Sequence, residues 1–393
     1  MPVDNHRNFA YSTVATAPVP ADSGTSLIVQ VGHGARFPTV PFNATVWPTA
    51  VQPSLTNAEI VRVTNITADT LTITRTQEVQ AGSINRSIVI GDQIAATITA
   101  KTLTDAESLT VNDTNNFRLS LTSGTPVTTA DVSAATTLYC TPGGHGNRIV
   151  LFDSAGGATG YTSAEFSIPV PASTSQMYDV FCYANAGVPT LEALAWTNDT
   201  TRATPLVLTT TGARTKSGDL TRRFLASVRT TTVNGQTEDS DTKRYLWNHD
   251  NRVLRRLRRV ETTASWTYTT ATIRQARAST DNQVDCIIGV VEDIIDLSVC
   301  VGVTQTNAGL QVAVGIGKDS TTTFASHGGT IAIPTASASQ HYEAHARLVD
   351  MPTVGRHFYS WNEYSEATPT TTWYGTATLV ANGDYGIFGF LRG

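Results

Sequence analysis

His341-Tyr342-Glu343-Ala344-His345 carries the most suggestive set of ligand atoms in the chain. On an extended strand, residues 341, 343 and 345 share one face, so two imidazoles and a carboxylate could converge on an ion. The spacing is not that of a helical HExxH pair, and around a threefold axis such a face could gather an ion between copies. A polar, hydrated strand face is the plainer assignment, and no metal or cofactor is assigned. Gly315-Ile316-Gly317-Lys318-Asp319-Ser320-Thr321 has the look of a phosphate loop. That loop requires glycine where Val312 stands and a hydroxyl where Asp319 stands, so a turn after a strand fits better. Gly32-His33-Gly34 lacks the third glycine and the following helix of a dinucleotide-binding turn.

One dense basic cluster runs through Arg252-Val253-Leu254-Arg255-Arg256-Leu257-Arg258-Arg259. It has no interleaved aromatics, and the net charge of −5 gives no basic field for a nucleic acid. Guanidinium forks suit carboxylates. Glu238, Asp239, Asp241, Glu292, Asp293 and Asp296 are available, within one subunit or across an interface. Arg252, Arg255, Arg256, Arg258 and Arg259 are therefore interface candidates. A second group, Phe358-Tyr359, Trp361, Tyr364, Trp373-Tyr374 and Tyr385, lies among polar residues. Aromatic planes with polar edges stack on sugar rings and anchor partners. Most of the group belongs in a core. Any exposed members of Tyr359, Trp361, Tyr364, Trp373 and Tyr374 make the candidate glycan or receptor surface.

No nucleophile elbow, triad order or Cys/His pair stands out, so no enzyme is expected. A polysaccharide-cleaving site would need two carboxylates at a cleft, and Glu238-Asp239 falls in a turn-like, solvated setting. Cys140, Cys182, Cys286 and Cys300 form no CxxC pair and read as free thiols made in a reducing cytoplasm.

The elements that would position these residues are strands. In Val61-Arg62-Val63 and Leu71-Thr72-Ile73, apolar residues alternate with polar ones, the period of a half-buried strand. Asn65-Ile66-Thr67-Ala68-Asp69 between them suits a reversal, giving a β-hairpin. The same style continues through Tyr178 to Tyr183, Leu191 to Trp196, Arg222 to Arg229, Val284 to Val290 and Gly386 to Leu391. Only Asn248 to Val260 and Asp281 to Ile295 could hide a helix. The expected fold is all-β: an N-terminal arm over 1–20, a small β-barrel or sandwich over 21–110, a linker over 111–136, and a large, jelly-roll-like β-sandwich over 137–393.

The 393 residues exceed one ordinary domain, and only 15% are charged, below a usual share of about a quarter. Thr, Ser and Asn carry the polarity instead, which suits close packing between subunits. No run of about 18 apolar residues would insert in a membrane, and no secretory signal is visible at the start.

Thr137-Leu138-Tyr139-Cys140-Thr141-Pro142, Tyr178-Asp179-Val180-Phe181-Cys182-Tyr183, Arg214 to Arg223, Trp247-Asn248 and Ser265 to Thr270 resemble a family of tailed-bacteriophage virion proteins, over about 136 to 320. Ile60 to Ala100 is similar to a small β-domain near the front of phage fibre and spike proteins. That domain carries a Gly-rich stretch after its hairpin, and Arg75-Thr76-Gln77-Glu78-Val79 departs from it. The resemblance implies a trimeric fibre or spike protein in the virion, made in the host bacterial cytoplasm. Its partners would be other virion proteins and a host glycan or receptor. It leaves open a capsid decoration (head-fibre) protein and, in another class, a polysaccharide depolymerase.

Overall fold

The computed structural model describes residues 4–104, 114–307, 310–328, 331–334, 340–368, 370–378 and 384–393. It is an all-β protein whose chain divides into two compact units, Met1–Asn112 and Asp113–Gly393. Among the described residues no helix is long and apolar enough to cross a membrane.

The first unit is a closed six-stranded barrel. Going round it, the strands are Tyr11–Thr16, Ser26–Val29, Thr70–Gln77, Glu59–Thr67, Phe42–Trp47 and Gln93–Ala95, the last pairing back to the first. The hairpin lies where the alternation places it, with Val61, Val63, Leu71 and Ile73 buried and Ala68-Asp69 making the turn. The Asp69 carboxylate accepts N–H bonds from Gly32 and Gly34, both 2.9 Å. Those bonds hold its pKa below the usual range. Gly34 must be glycine, because a Cβ there would fall 1.9 Å from the Ala68 carbonyl oxygen. Arg75 forks onto the buried Glu59 at 2.8 and 2.7 Å and ties the hairpin base shut.

Two sequence boundaries are corrected. Part of the arm expected over 1–20 is a barrel strand: Tyr11–Thr16 pairs on both sides and its Val14 is fully buried. The linker expected over 111–136 holds two strands, Phe117–Ser120 and Val132–Ala135, with Phe117, Leu119 and Leu121 in the core (111–113 lie outside the described residues). Its Ser, Thr and Asn read as loop residues because their partners lie far off in sequence. Arg118, for instance, donates to the carbonyls of Asn251 and Gly393.

The second unit has two cores. In the first, Phe117–Ser120, Thr137–Pro142 and Phe166–Pro169 form one sheet, which shares its apolar residues with the sheet of Met177–Asn185, Val188–Ala195 and Asp219–Arg229. The second core lies between the halves of a sandwich. One half contains Gln283–Ile288, Gln311–Lys318 and Gly355–Ser365; the other contains Leu254–Val260, Ile295–Gln305, Tyr342–Asp350, Thr371–Tyr374 and Gly386–Arg392. The chain crosses repeatedly between the halves, so each crossing contributes one more strip to the shared interior. Both segments that could have hidden a helix hold strands instead, Leu254–Val260 and Gln283–Ile288. Valine and isoleucine fill the inner face of the second, and two-sided burial erases the period that would have marked it as a strand.

Candidate functional site

The arginine strand is laced to carboxylates of its own chain. Arg255 and Leu257 point inward while Leu254 and Arg256 point out. Arg255 donates to Asp239 at 2.6 Å and to the Thr128 carbonyl at 2.8 Å. Asp239 also accepts from Arg244 at 3.0 Å, Arg244 bridges to Asp241 at 3.0 Å, and Arg256 closes on Asp241 at 2.5 Å. Three guanidiniums and two carboxylates thus form one chain of charge. Its inner members are largely dry, and burial pulls the Arg255 pKa down. Nearby, burial and then the like charge of Arg255 lower the Arg118 pKa to about 10. Arg252 takes Glu292 at 2.5 Å and also Asp293, Arg258 pairs with Asp384, and Arg259 stands 3.6 Å from Asp281. Of the carboxylates the sequence offered, Glu238 goes to Lys243 and Asp296 to Arg347 instead.

Three of the five aromatic candidates are corrected. Tyr359, Trp361 and Trp373 are completely buried, so they cannot meet a glycan. Strand Gly355–Ser365 is buried on both faces at its centre, and the polar residues that made the region look wet are spent internally. Ser360 donates to the Ser320 carbonyl at 2.7 Å and Asn362 to the Thr323 carbonyl at 2.8 Å. Tyr364 and Tyr374 remain half-buried.

The buried Glu363 receives the Trp266 indole N–H and the Arg274 guanidinium, both at 2.8 Å, and the Arg277 N–H at 3.2 Å. Burial dominates and lifts its pKa to about 7. Burial also pushes Glu261 upward, but bonds from Thr263, Arg277 and Asn282, each 2.8 Å, outweigh it and hold that carboxyl at about 2. Asp179 with Arg202, and Asp285 with Arg356 and Tyr245, repeat the theme, and burial raises both carboxyls.

The arrangement nearest to catalysis is Asp319–His357–Thr353. Nδ1 of His357 is 2.8 Å from Asp319, and Nε2 lies 3.3 Å from the Thr353 hydroxyl. However, Nε2 is closer, at 2.9 Å, to the Thr353 carbonyl, and a nitrogen donating there has no lone pair to accept a hydroxyl proton. The trio fastens a turn. The phosphate-loop look-alike is likewise structural: Gly315 to Lys318 end a strand, and Lys318 pairs with Asp350 at 2.7 Å.

The His341, Glu343 and His345 group is divided. Glu343 and His345 share the outer face of Tyr342–Asp350, while His341 stacks on Tyr374 at 4.7 Å. The neighbouring strand supplies a residue the sequence could not reveal. Cys300 lies opposite His345, and its thiol donates to Glu343 at 2.8 Å. Burial and then the carboxylate push the thiol pKa up to about 12. Only the cross-strand register brings this cysteine to the pair, and register is not written in local spacing.

No protein-family profile matches the chain, and no curated protein matches it. Among solved structures, the infectious bursal disease virus Gx strain aligns over 68% of this chain and 76% of its own, at 9% identity and a TM-score of 0.18. An insecticidal delta-endotoxin of Bacillus thuringiensis aligns over 70% and 50%, at 6% identity and 0.15. T=1 particles derived from infectious bursal virus align over 71% and 77%, at 11% identity and 0.14. Likenesses this slight carry no weight for function.

Proposed function

We propose that the chain is a structural component of a virus particle, acting through its surfaces and without bond-breaking chemistry. The finer reading is a trimeric fibre or spike protein of a tailed phage that contributes to host attachment. The observation that carries the non-enzymatic part of the proposal is how the displaced titratable groups are used. Asp179, Asp285, Glu261 and Glu363 each lock to an arginine of the same chain, and the Asp285–Arg356 and Glu363–Arg274 pairs join neighbouring strands. A hydrolase aims such groups into a cleft where substrate reaches them. The resemblance of residues 136–320 to phage virion proteins supports the same reading.

A glycan or receptor surface then rests on Tyr364 and Tyr374. Contact between copies falls to the exposed outer arginines Arg256 and Arg258, with Arg252 and Arg259 at their flanks. Immunogold labelling of intact particles tests the proposal, together with blocking of adsorption by the purified protein. Label at the tail and blocked adsorption are expected. Label spread over the head selects the decoration reading, and absence from particles overturns the virion role. Clearing of host capsule by the purified chain would overturn the non-enzymatic reading.

A further inference from the structure

We propose that Cys300, Glu343 and His345 form a binding site for a thiophilic divalent cation of the zinc class. The three come from adjacent antiparallel strands, Ile295–Gln305 and Tyr342–Asp350, with Cys300 opposite His345 and Gly302 opposite Glu343. Ala344, Ala346 and Leu348 take the inner face of the second strand, which places Glu343 and His345 on the outer one. The three ligand atoms lie within 4.8 Å of one another. Glu343 Oε1 is 2.8 Å from the Cys300 sulfur and 3.7 Å from Nε2 of His345. Tetrahedral zinc, with bonds of about 2.0–2.3 Å, sets its ligands roughly 3.3–3.8 Å apart, so small side-chain rotations suffice.

The donor set decides which ion fits. Calcium and magnesium prefer oxygen throughout, whereas a sulfur, a nitrogen and an oxygen together select zinc and its neighbours. Cys140, Cys182 and Cys286 are buried, while Cys300 is not, and its sulfur already touches a carboxylate. On binding, the thiol proton leaves to solvent. Thiolate and carboxylate then balance the two positive charges of the ion, and the neutral imidazole completes the set. Glu343 and His345 are more than half exposed (side chains 55% and 59%), so the fourth corner faces water or a ligand from another molecule. The inference does not depend on the virion reading.

Titration of the chelator-treated full chain with Zn²⁺ against a chromophoric competitor, and with Co²⁺ as a spectroscopic probe, tests it. One ion per chain is expected, with a thiolate-to-cobalt charge-transfer band in the near ultraviolet. Cys300→Ser should abolish the band. A direct ligand matters at least as much as its outer partners, so Cys300→Ser and His345→Ala should each weaken Zn²⁺ by at least about 10–100-fold. Both changes lie on a wet face, and circular dichroism confirms that the variants are folded. Failure to bind Zn²⁺, a cobalt spectrum without the thiolate band, or unchanged affinity in Cys300→Ser would each overturn the site.

Discussion

Glu363 and Glu261 meet the same residue, Arg277, one through its backbone N–H and the other through its guanidinium, yet they are displaced in opposite directions. Glu363 is raised from 4.5 to about 7, so the folded state holds its proton where the unfolded state has lost it. The stability it contributes is full below about 4.5 and lost as pH rises through about 7, a swing on the order of 3 kcal/mol. Glu261, lowered to about 2, contributes stability above about 4.5 that disappears as pH falls through about 2. Urea unfolding across this range should show Glu363→Gln flattening the slope between pH 5 and 7 while leaving the acid limb unchanged; a slope there like that of the parent refutes the assignment. The aromatics give a second test. Trp361→Ala should cost about 3–5 kcal/mol in the same assay, whereas Tyr374→Ala should cost far less and act on binding. Sequence could flag these rings but not sort them. Ser360, Asn362 and Glu363 between and beside them look like surface residues until their distant partners are known.

Strand Leu254–Val260 shows which part of an element's chemistry is written locally. The excess of guanidinium and the nearby pool of carboxylates were legible; the pairings were not, since each depends on which strands become neighbours. Removing Asp239 leaves the buried Arg255 without its carboxylate and Arg244 with Asp241 alone, and Asp239→Ala should destabilise the sandwich by about 3–5 kcal/mol. Arg256 is 63% exposed, and Arg256→Ala should change stability by about 1 kcal/mol or less. Thermal unfolding separates the two. The contrast also chooses the right probe of assembly. Arg255→Glu would damage the subunit itself, whereas Arg256→Glu leaves it folded and should weaken association between copies if that face is an interface, as read by sedimentation. Unchanged sedimentation would assign this arginine to solvent.

Across the whole molecule, the all-β character and the small β-domain at the front were readable, because alternation and turn residues recur along most of the chain, whereas the two cores of the second unit were not, since they depend on which sheets face one another. The barrel's closure was not, because it depends on Tyr11–Thr16 meeting Gln93–Ala95 across nearly the full domain. A terminal segment with prolines reads as an arm until both of its neighbours are known. Since the ring closes within the first unit, residues 1–112 expressed alone should give a β-type circular dichroism spectrum and a single cooperative melt; a random-coil spectrum would show that the unit needs the remainder of the chain. The closure has a mechanical side too. Tyr11 faces Ala95, so the polypeptide enters and departs at the same rim, and its first and last strands meet along a short seam of three paired residues, extended by backbone bonds from Ala96 to Ala10 and from Val14 to Asp92. Tension applied at those two points would load the rungs singly, in the manner of a zipper, and the seam would part before the sturdier hairpin bore any of the force.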